Sequence, residues 1–508
     1  MPPCPGGRHR SNIRCRPDGV GRYNRAMYPD TTASITDTMH TLAYIGDLSM
    51  GQPTEHSLRT AWLAARIAEA AGHAGDHCAA VQQVALLRWS GCTANAPEFS
   101  ALIGDDVGMR ARMLSQKNDP AFMQSAEAVF REIYQLSEIH CEVSGEIAAM
   151  LGVSADVERA LRSIFSTYDG AGPSHLRDGP VPDSVYVVAL ASDIEILGRE
   201  QGVARALDVI AHKSGKAYPA ALVAIAVQHA ATWLEQLERD EDWQAALDFE
   251  ACTRSSAVPL ELLADVIDLK LPWMTGYSRR VAQVACNAAG VMGLDTDTQL
   301  RCYRAALVHG IGRAAVPNNV WNTSGKLSAG AREQLQLAPY WTSRAAARSG
   351  ALGAAADIGS YASERLNGSG AFRACTHTAI PLDGKIIAAA TAWVALQSMR
   401  PWRAAMTADQ ARATLEAEVA NGRFDVNAVR AVSGAAHTSA EAVENILLTQ
   451  REAEIFRHIS LGLTNKEVAR ELAISPSTVR THVENVFRKL GCNTRAAATL
   501  KASTLRLL

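Results

Sequence analysis

At about 100–200 residues per domain a chain of 508 residues holds three or so domains, and 48% hydrophobic with 20% charged residues excludes a disordered or low-complexity protein. The net charge of −2 excludes a polycation, yet the charge is uneven: residues 449–508 carry ten Lys and Arg against five Glu, leaving about −7 on the rest. A basic end on an acidic body points to a nucleic-acid module joined to an unrelated unit. Abundant Ala and only 6% aromatic residues favour helix. Ten Cys without a CxxC pair argue against a zinc ribbon or a disulfide framework and fit a reducing cytosol.

Residues 1–38 begin rich in Arg, Pro and Gly and have no apolar stretch of the secretory kind. They are read as disordered, or as an over-long start with Met27 or Met39 as the true beginning. No apolar run reaches the ~18–20 residues of a membrane span. The longest candidates, Ala220–Val227 and Ile386–Leu396, read as buried helices, so a cytoplasmic protein is expected.

Residues 39–247 and 254–437 are two copies of one unit. Ala85-Leu86-Leu87-Arg88-Trp89-Ser90-Gly91 answers Ala306-Leu307-Val308-His309-Gly310-Ile311-Gly312, and Asp169-Gly170-Ala171-Gly172 answers Asn367-Gly368-Ser369-Gly370. His56 to Arg88 and Tyr277 to His309 are both 32 residues; Asp169 to Asp193 and Asn367 to Thr391 are both 24; His140 to Asp169 and Ala338 to Asn367 are both 29. Only Arg88 to His140, at 52, differs from His309 to Ala338, at 29. A single insertion around Cys92–Asn118 restores the register. Apolar sets such as Leu63, Ala64, Ile67, Ala68 and Val281, Val284, Ala285, Ala288 have helical spacing, and no run alternates as a strand would. Each copy is expected to be a helical bundle.

A linker is expected at 438–447, with Thr438–Asn445 as a hinge, before a domain at 448–508. There Thr449 caps a first helix carrying Ile455, Ile459 and Leu463 and stopping at Gly462; Thr464 caps a second, Asn465–Leu472. After a break at Ala473–Ile474, Ser475-Pro476 opens a third helix to Leu490 that buries Val479, Val483, Val486 and Leu490 and ends at Gly491. A fourth begins near Thr494. Two short helices joined by a tight turn form a helix-turn-helix, with the third helix in the major groove. Arg480, Thr481 and Glu484 fall on its outer face, where Arg480 can pair with a guanine edge and Thr481 can touch a thymine methyl. Lys466, Ser475, Thr478, His482 and Lys489 are placed for phosphates.

Leu448-Thr449-Gln450-Arg451-Glu452, Gly462-Leu463-Thr464-Asn465-Lys466-Glu467-Val468-Ala469, Ser475-Pro476-Ser477-Thr478-Val479-Arg480-Thr481-His482 and Lys489-Leu490-Gly491 resemble the LuxR-type DNA-binding domain almost position by position. The resemblance implies a four-helix module that binds double-stranded DNA as a homodimer, with the last helix, near Thr494–Leu505, at the dimer contact. Glu484 departs from it, standing where many relatives carry a base-contacting or basic residue.

The second copy resembles the HD-GYP family of metal-dependent phosphohydrolases that act on cyclic di-GMP. The resemblance runs through Leu307-Val308-His309-Gly310-Ile311-Gly312-Arg313, Val316-Pro317, Gly325-Lys326-Leu327-Ser328, Glu364–Gly370, Ile380-Pro381-Leu382 and Ser398-Met399-Arg400-Pro401-Trp402-Arg403. Phosphodiester hydrolysis of this kind needs two or more cations held by His and carboxylates. By the resemblance the second copy keeps only His309 and Glu364 of that set: Tyr277, Gly310, Ala338, Ala362-Ser363 and Thr391 occupy the other positions, and Arg313 stands for a Lys. The first copy keeps His56, His140 and Asp193, weak candidates for one metal, with Arg88-Trp89 at the His-Asp pair and Arg88 expected to pair with Asp193. A cation at that point repels metal.

The expected architecture is all-α: two degenerate HD-like bundles, then a four-helix reader. The expected function is a sequence-specific transcription regulator, not an enzyme, with no cofactor, a body that dimerises or senses, and a small anionic ligand as candidate occupant of the body. The rival readings are a metal-dependent cyclic-dinucleotide phosphodiesterase carrying a DNA module, and a scaffold without ligand.

Overall fold

The structure is a computed structural model that describes residues 31–116, 120–173, 179–240, 243–247, 257–346, 350–434 and 447–508. The described residues are all-α apart from one two-stranded antiparallel sheet, β1 (Thr32–Ser34) on β2 (Ala257–Pro259), in the register Thr32↔Pro259, Ala33↔Val258, Ser34↔Ala257. These strands are too short to be seen as alternation in sequence, and they tie the front of the first copy to the front of the second. Residues 31–38, expected within a disordered leader, form β1 and the first turn of a helix. The hinge expected at Thr438–Asn445 lies outside the described residues.

The first copy contains α1 (Ile35–Ser49), α2 (His56–Ala70), α3 (Asp76–Leu87), α4 (Ala96–Ile103), α5 (Asp106–Ser115), α6 (Pro120–Leu151), α7 (Ala155–Arg162), α8 (Asp183–Gln201), α9 (Val203–His212) and α10 (Ala220–Arg239). The second contains α11 (Glu261–Asp268), α12 (Tyr277–Val291), α13 (Thr296–Val308), α14 (Asn318–Trp321), α15 (Ala329–Ala346), α16 (Gly350–Gly359), α17 (Leu382–Leu396), α18 (Ala408–Ala420) and α19 (Val426–Gly434). The reader follows as α20 (Gln450–Ser460), α21 (Asn465–Glu471), α22 (Pro476–Leu490) and α23 (Arg495–Thr504).

The two copies share small structural devices at the positions that sequence spacing equates. Before α2, the buried Asp47 carboxylate accepts from the Ser57 amide at 3.1 Å and its hydroxyl at 2.6 Å. Before α12, Asp268 takes the same two bonds from Ser278, at 2.8 and 2.7 Å. A buried carboxylate needs such donors to offset lost hydration. Gly91 and Gly312 lie so close to α6 and α15 that a Cβ on either would overlap the carbonyl oxygen of His140 or Ala338 respectively. His140 and Ala338 are the pair equated by allowing one insertion.

That insertion builds α4 and α5, and it clamps the copies together. Asp105 caps α5 by accepting from the Val107 and Gly108 amides. The next residue, Asp106, is fully buried against Lys270 at 2.8 Å and accepts the Asn318 amide at 2.6 Å. Asn318 returns a bond to the Lys270 carbonyl at 2.6 Å. The Tyr44 hydroxyl adds a second tie, donating to the Trp341 carbonyl at 2.7 Å. One continuous apolar core runs through both copies and into the reader.

Candidate nucleic-acid interface

The reader is built by its caps. Thr449 and Glu452 form a capping box at α20, and Thr464 and Glu467 form another at α21. Ala473 takes a positive φ of 52°, making the tight break between α21 and α22. Ser475 then accepts from the Thr478 amide at 3.0 Å, with Pro476 at the first helical position. Gly491 ends α22 in the left-handed conformation. Inside, Ile455, Phe456, Ile459, Val468, Val479 and Val486 are all at 0% exposure and hold the helices together. Val483, expected in that core, is only half-buried.

With one face of α22 committed to the core, the opposite face reaches solvent. The side chains of Arg480 and Glu484 are 76% and 61% exposed. They form an i, i+4 pair, Arg480 Nε to Glu484 Oε1 at 2.8 Å, which raises the guanidinium pKa. Thr481 is exposed and donates back to the Ser477 carbonyl at 3.1 Å. Lys466, Ser475 and Thr478 are exposed near the start of the two helices. Two of the residues read as phosphate contacts sit differently. Lys489 Nζ is held by the Glu452 carboxylate at 2.6 Å, so it ties α22 to α20. His482 is half-buried, with Nδ1 turned into the protein.

The positions compared with metal ligands face inward and are paired one by one. In the first copy His56 Nδ1 meets Glu195 Oε2 at 2.6 Å, while Arg59 and Arg199 each reach Glu195 Oε1 at 3.3 Å. Burial pushes the Glu195 carboxyl up, but His56 and Arg199 outweigh it and hold it at about 2. His140 Nε2 meets the Arg88 carbonyl at 2.7 Å, and burial depresses its pKa to about 3. Asp193 is bonded by Lys213 at 2.8 Å and by the Tyr218 hydroxyl. The expected Arg88–Asp193 pair is therefore corrected: Arg88 donates to the Val188 carbonyl at 3.4 Å and lies over the Trp89 ring, 4.0 Å from its centroid. Trp89, His140 and Phe165 pack ring against ring.

In the second copy His309 lies between the Ala306 carbonyl and Arg313 Nη2, each 2.5 Å away. Burial, then Arg313, lowers its pKa to about 3. Arg313 also pairs with Asp268 at 3.1 Å. Tyr277 has the guanidiniums of Arg313 and Arg400 over its ring, at 5.1 and 5.0 Å. Glu364 accepts the Arg373 and Cys375 amides at 2.8 and 3.2 Å and so staples a loop. No group of three or more His, Cys, Asp or Glu among the described residues is placed to hold a metal ion. The residues present do not fit a dinuclear centre.

Sequence reasoning missed Glu195, although its i+3 spacing from Ser192 on α8 puts both on the face toward His56. It also missed Glu142 on α6. That carboxylate accepts the Asn493 amide at 2.6 Å and the Thr494 amide at 2.8 Å, and so seats the reader against the body. No sequence pattern marks a contact between residues so far apart.

The HD domain family matches residues 261–428, and the LuxR family of bacterial regulatory proteins matches residues 447–502. The chain is 24% identical over 420 residues to 3′3′-cGAMP-specific phosphodiesterase 3 of Vibrio cholerae, covering 76% of this chain and 91% of that one. It is 44% identical over 62 residues to the probable transcriptional regulatory protein NarL of Mycobacterium tuberculosis, covering 12% of this chain and 29% of that one. A crystal structure of a cyclic GMP-AMP-specific phosphodiesterase of V. cholerae superposes with a TM-score of 0.55 at 22% identity, over 80% of this chain and 98% of that one. The chain thus carries an HD-type helical body and a LuxR-type helix-turn-helix domain. No helix among the described residues is long and apolar enough to cross a membrane.

Proposed function

We propose that this protein is a sequence-specific transcription regulator whose body has given up phosphodiester hydrolysis for a sensory or dimerising role. The observation that carries the reading is the outward face of α22: Arg480 and Thr481 project from a helix whose two ends are capped and whose other face is core. Arg480 would read a guanine edge, and Glu484 would fix the guanidinium plane before contact, which lowers the ordering cost of binding. Lys466, Ser475 and Thr478 would meet phosphates. Two readers related by a two-fold axis would bind an inverted repeat with half-sites about one helical turn apart. Such a protein acts on the chromosome, in the cytoplasm.

The charge at the former ligand positions supports a body that is not a hydrolase. Arg88 is buried at the first copy's former His-Asp pair, and a buried guanidinium there repels a metal cation while favouring a small anion. Selection of fragments bound by the purified chain from sheared genomic DNA tests the DNA reading. One enriched palindromic motif is expected, and a pool without any motif refutes it. Incubation with manganese or iron and a cyclic dinucleotide tests the body. No turnover is expected; turnover that disappears in His56→Ala or His140→Ala establishes the rival phosphodiesterase.

A further inference from the structure

The reader does not hang free of the body. It sits in the seam between the two copies, and its last helix, α23, is covered there. Six of the ten residues of α23 are buried, Ala497, Ala498, Thr499, Leu500, Ala502 and Ser503. At 100° per residue these positions go all the way round the helix. One neighbour buries only one face, so α23 must be enclosed from two sides. Its partners are α20 and α22 of the reader on one side, and α6 and α11 of the body on the other.

The body side is made by specific polar contacts. Glu142, 8% exposed, accepts the amides of Asn493 and Thr494 and the Asn493 side-chain amide at 3.1 Å. These are the amides of the N-cap Thr494 and the residue before it, so the carboxylate lies just ahead of the first turn of α23, near the positive end of its dipole. One turn further along α6, Glu146 pairs with Lys501 at 3.1 Å. One turn beyond that, Thr504 reaches the Met150 sulfur at 3.7 Å. From the second copy, the Thr275 hydroxyl donates to the Ser460 carbonyl at the end of α20 at 2.8 Å, and Pro272 lies against Gly462. The acidic residues of the seat belong to the acidic body, and the helix they hold belongs to the basic reader.

We propose that this seat is an autoinhibitory contact: while Glu142 and Glu146 hold α23, no second copy of the chain can reach that helix, and the reader stays single. The proposal rests on reading the active reader as one half of a two-fold pair joined through α23. In the seated form α22 is already exposed, so what the body withholds is the pairing and not the recognition face. A single reader meets one half-site. Two joined readers gain the second contact at high effective concentration, so a body-controlled seat sets affinity without altering any base contact. α6 carries His140 two residues before Glu142, and α11 ends at Asp268, which pairs with Arg313. The first former ligand region thus shares α6 with the seat, and the second is linked to it through the ion pair of Arg313 with α11.

The test uses the full chain without DNA, so that its outcome is separate from that of the DNA reading. Amide exchange is followed at residues 495–504, and self-association by sedimentation over a concentration series, in the native chain, in Glu142→Ala and in Lys501→Glu. Lys501→Glu attacks the seat from the reader side and guards against misfolding of a variant in the body. The expected result is exchange at least about tenfold faster at 495–504, the scale of losing charge-assisted bonds, together with a rise in dimer at equal concentration. Unchanged exchange in both folded variants overturns the seat. Faster exchange with no added dimer overturns its competition with a second copy.

Discussion

The reader and the body use their charged side chains in opposite ways. In the reader, Arg480 and Glu484 pair on an exposed face, and Lys466 is exposed as well. In the body, the charged groups at the compared positions turn inward: His56 to Glu195, Arg313 to Asp268 and His309, Asp193 to Lys213. A polar group buried and satisfied by its own chain secures the fold, whereas one held out in water is available to a partner. The contrast separates what keeps the protein folded from what it offers to DNA. It requires body substitutions to lower stability and leave base recognition alone, and reader-face substitutions to do the reverse.

The largest effect belongs to the clamp between the copies. Asp106→Ala leaves Lys270 buried without its carboxylate and is expected to cost about 3–5 kcal/mol in denaturant unfolding. A cost below about 1 kcal/mol would mean that the insertion does not hold the copies together. The matched staples come next. Ser57→Ala and Ser278→Ala each remove the hydroxyl bond to a buried carboxylate while keeping the amide bond, and should each cost about 1.5–3 kcal/mol. Markedly unequal costs would break the equivalence of the two copies.

On the reader, Arg480→Ala should cost about 1–3 kcal/mol of operator affinity and relax preference at one base pair, with the melting temperature unchanged. Binding isotherms on single-base operator variants report both. A lower melting temperature with intact affinity would assign Arg480 to the fold. Lys489→Ala sharpens the comparison, because this reader residue is paired like a body residue. It should lose about 1 kcal/mol or less of stability, and the slope of DNA affinity against salt should change by well under one ion.

The buried histidines add a pH dependence. His140 is held to about 3 in the folded chain, mainly by burial, against 6.5 when exposed. Its folded pKa is depressed, so the stability from neutral His140 is present above pH 6.5 and is lost as pH falls toward 3. The slope is at most about 1.4 kcal/mol per pH unit. His140→Gln should flatten the fall of stability below pH 6.5 by up to one proton, and parallel curves for the two proteins would refute the assignment.

How much of this could be read in the sequence depended on the range of the interaction. The reader's helices are set by caps within three or four residues, and Thr449, Thr464, Ser475-Pro476 and Gly491 stand where the spacing put them. The repeat was readable because its register depends on spacing alone, and the same spacing carries Asp47–Ser57 and Asp268–Ser278. Partners across the bundle were not readable. Arg88 was expected on Asp193 because both are charged, but the Trp89 face is nearer and Lys213 and Tyr218 already hold the carboxylate. Lys489 was expected on phosphate, because its partner Glu452 lies on another helix. The seat of α23 joins residues some 350 apart and has no local signal.

The pairing of β1 with β2 has a consequence for synthesis on the ribosome. Thr32–Ser34 emerges early but cannot acquire its hydrogen-bonding neighbour until Ala257–Pro259 has left the exit tunnel. At about 5–20 residues per second the nascent first copy waits on the order of ten seconds or more with an open strand edge and an unfilled face. The halves of the body thus cannot mature one after the other as independent beads, and the interval before residue 260 is the window in which a chaperone would be most useful to this chain.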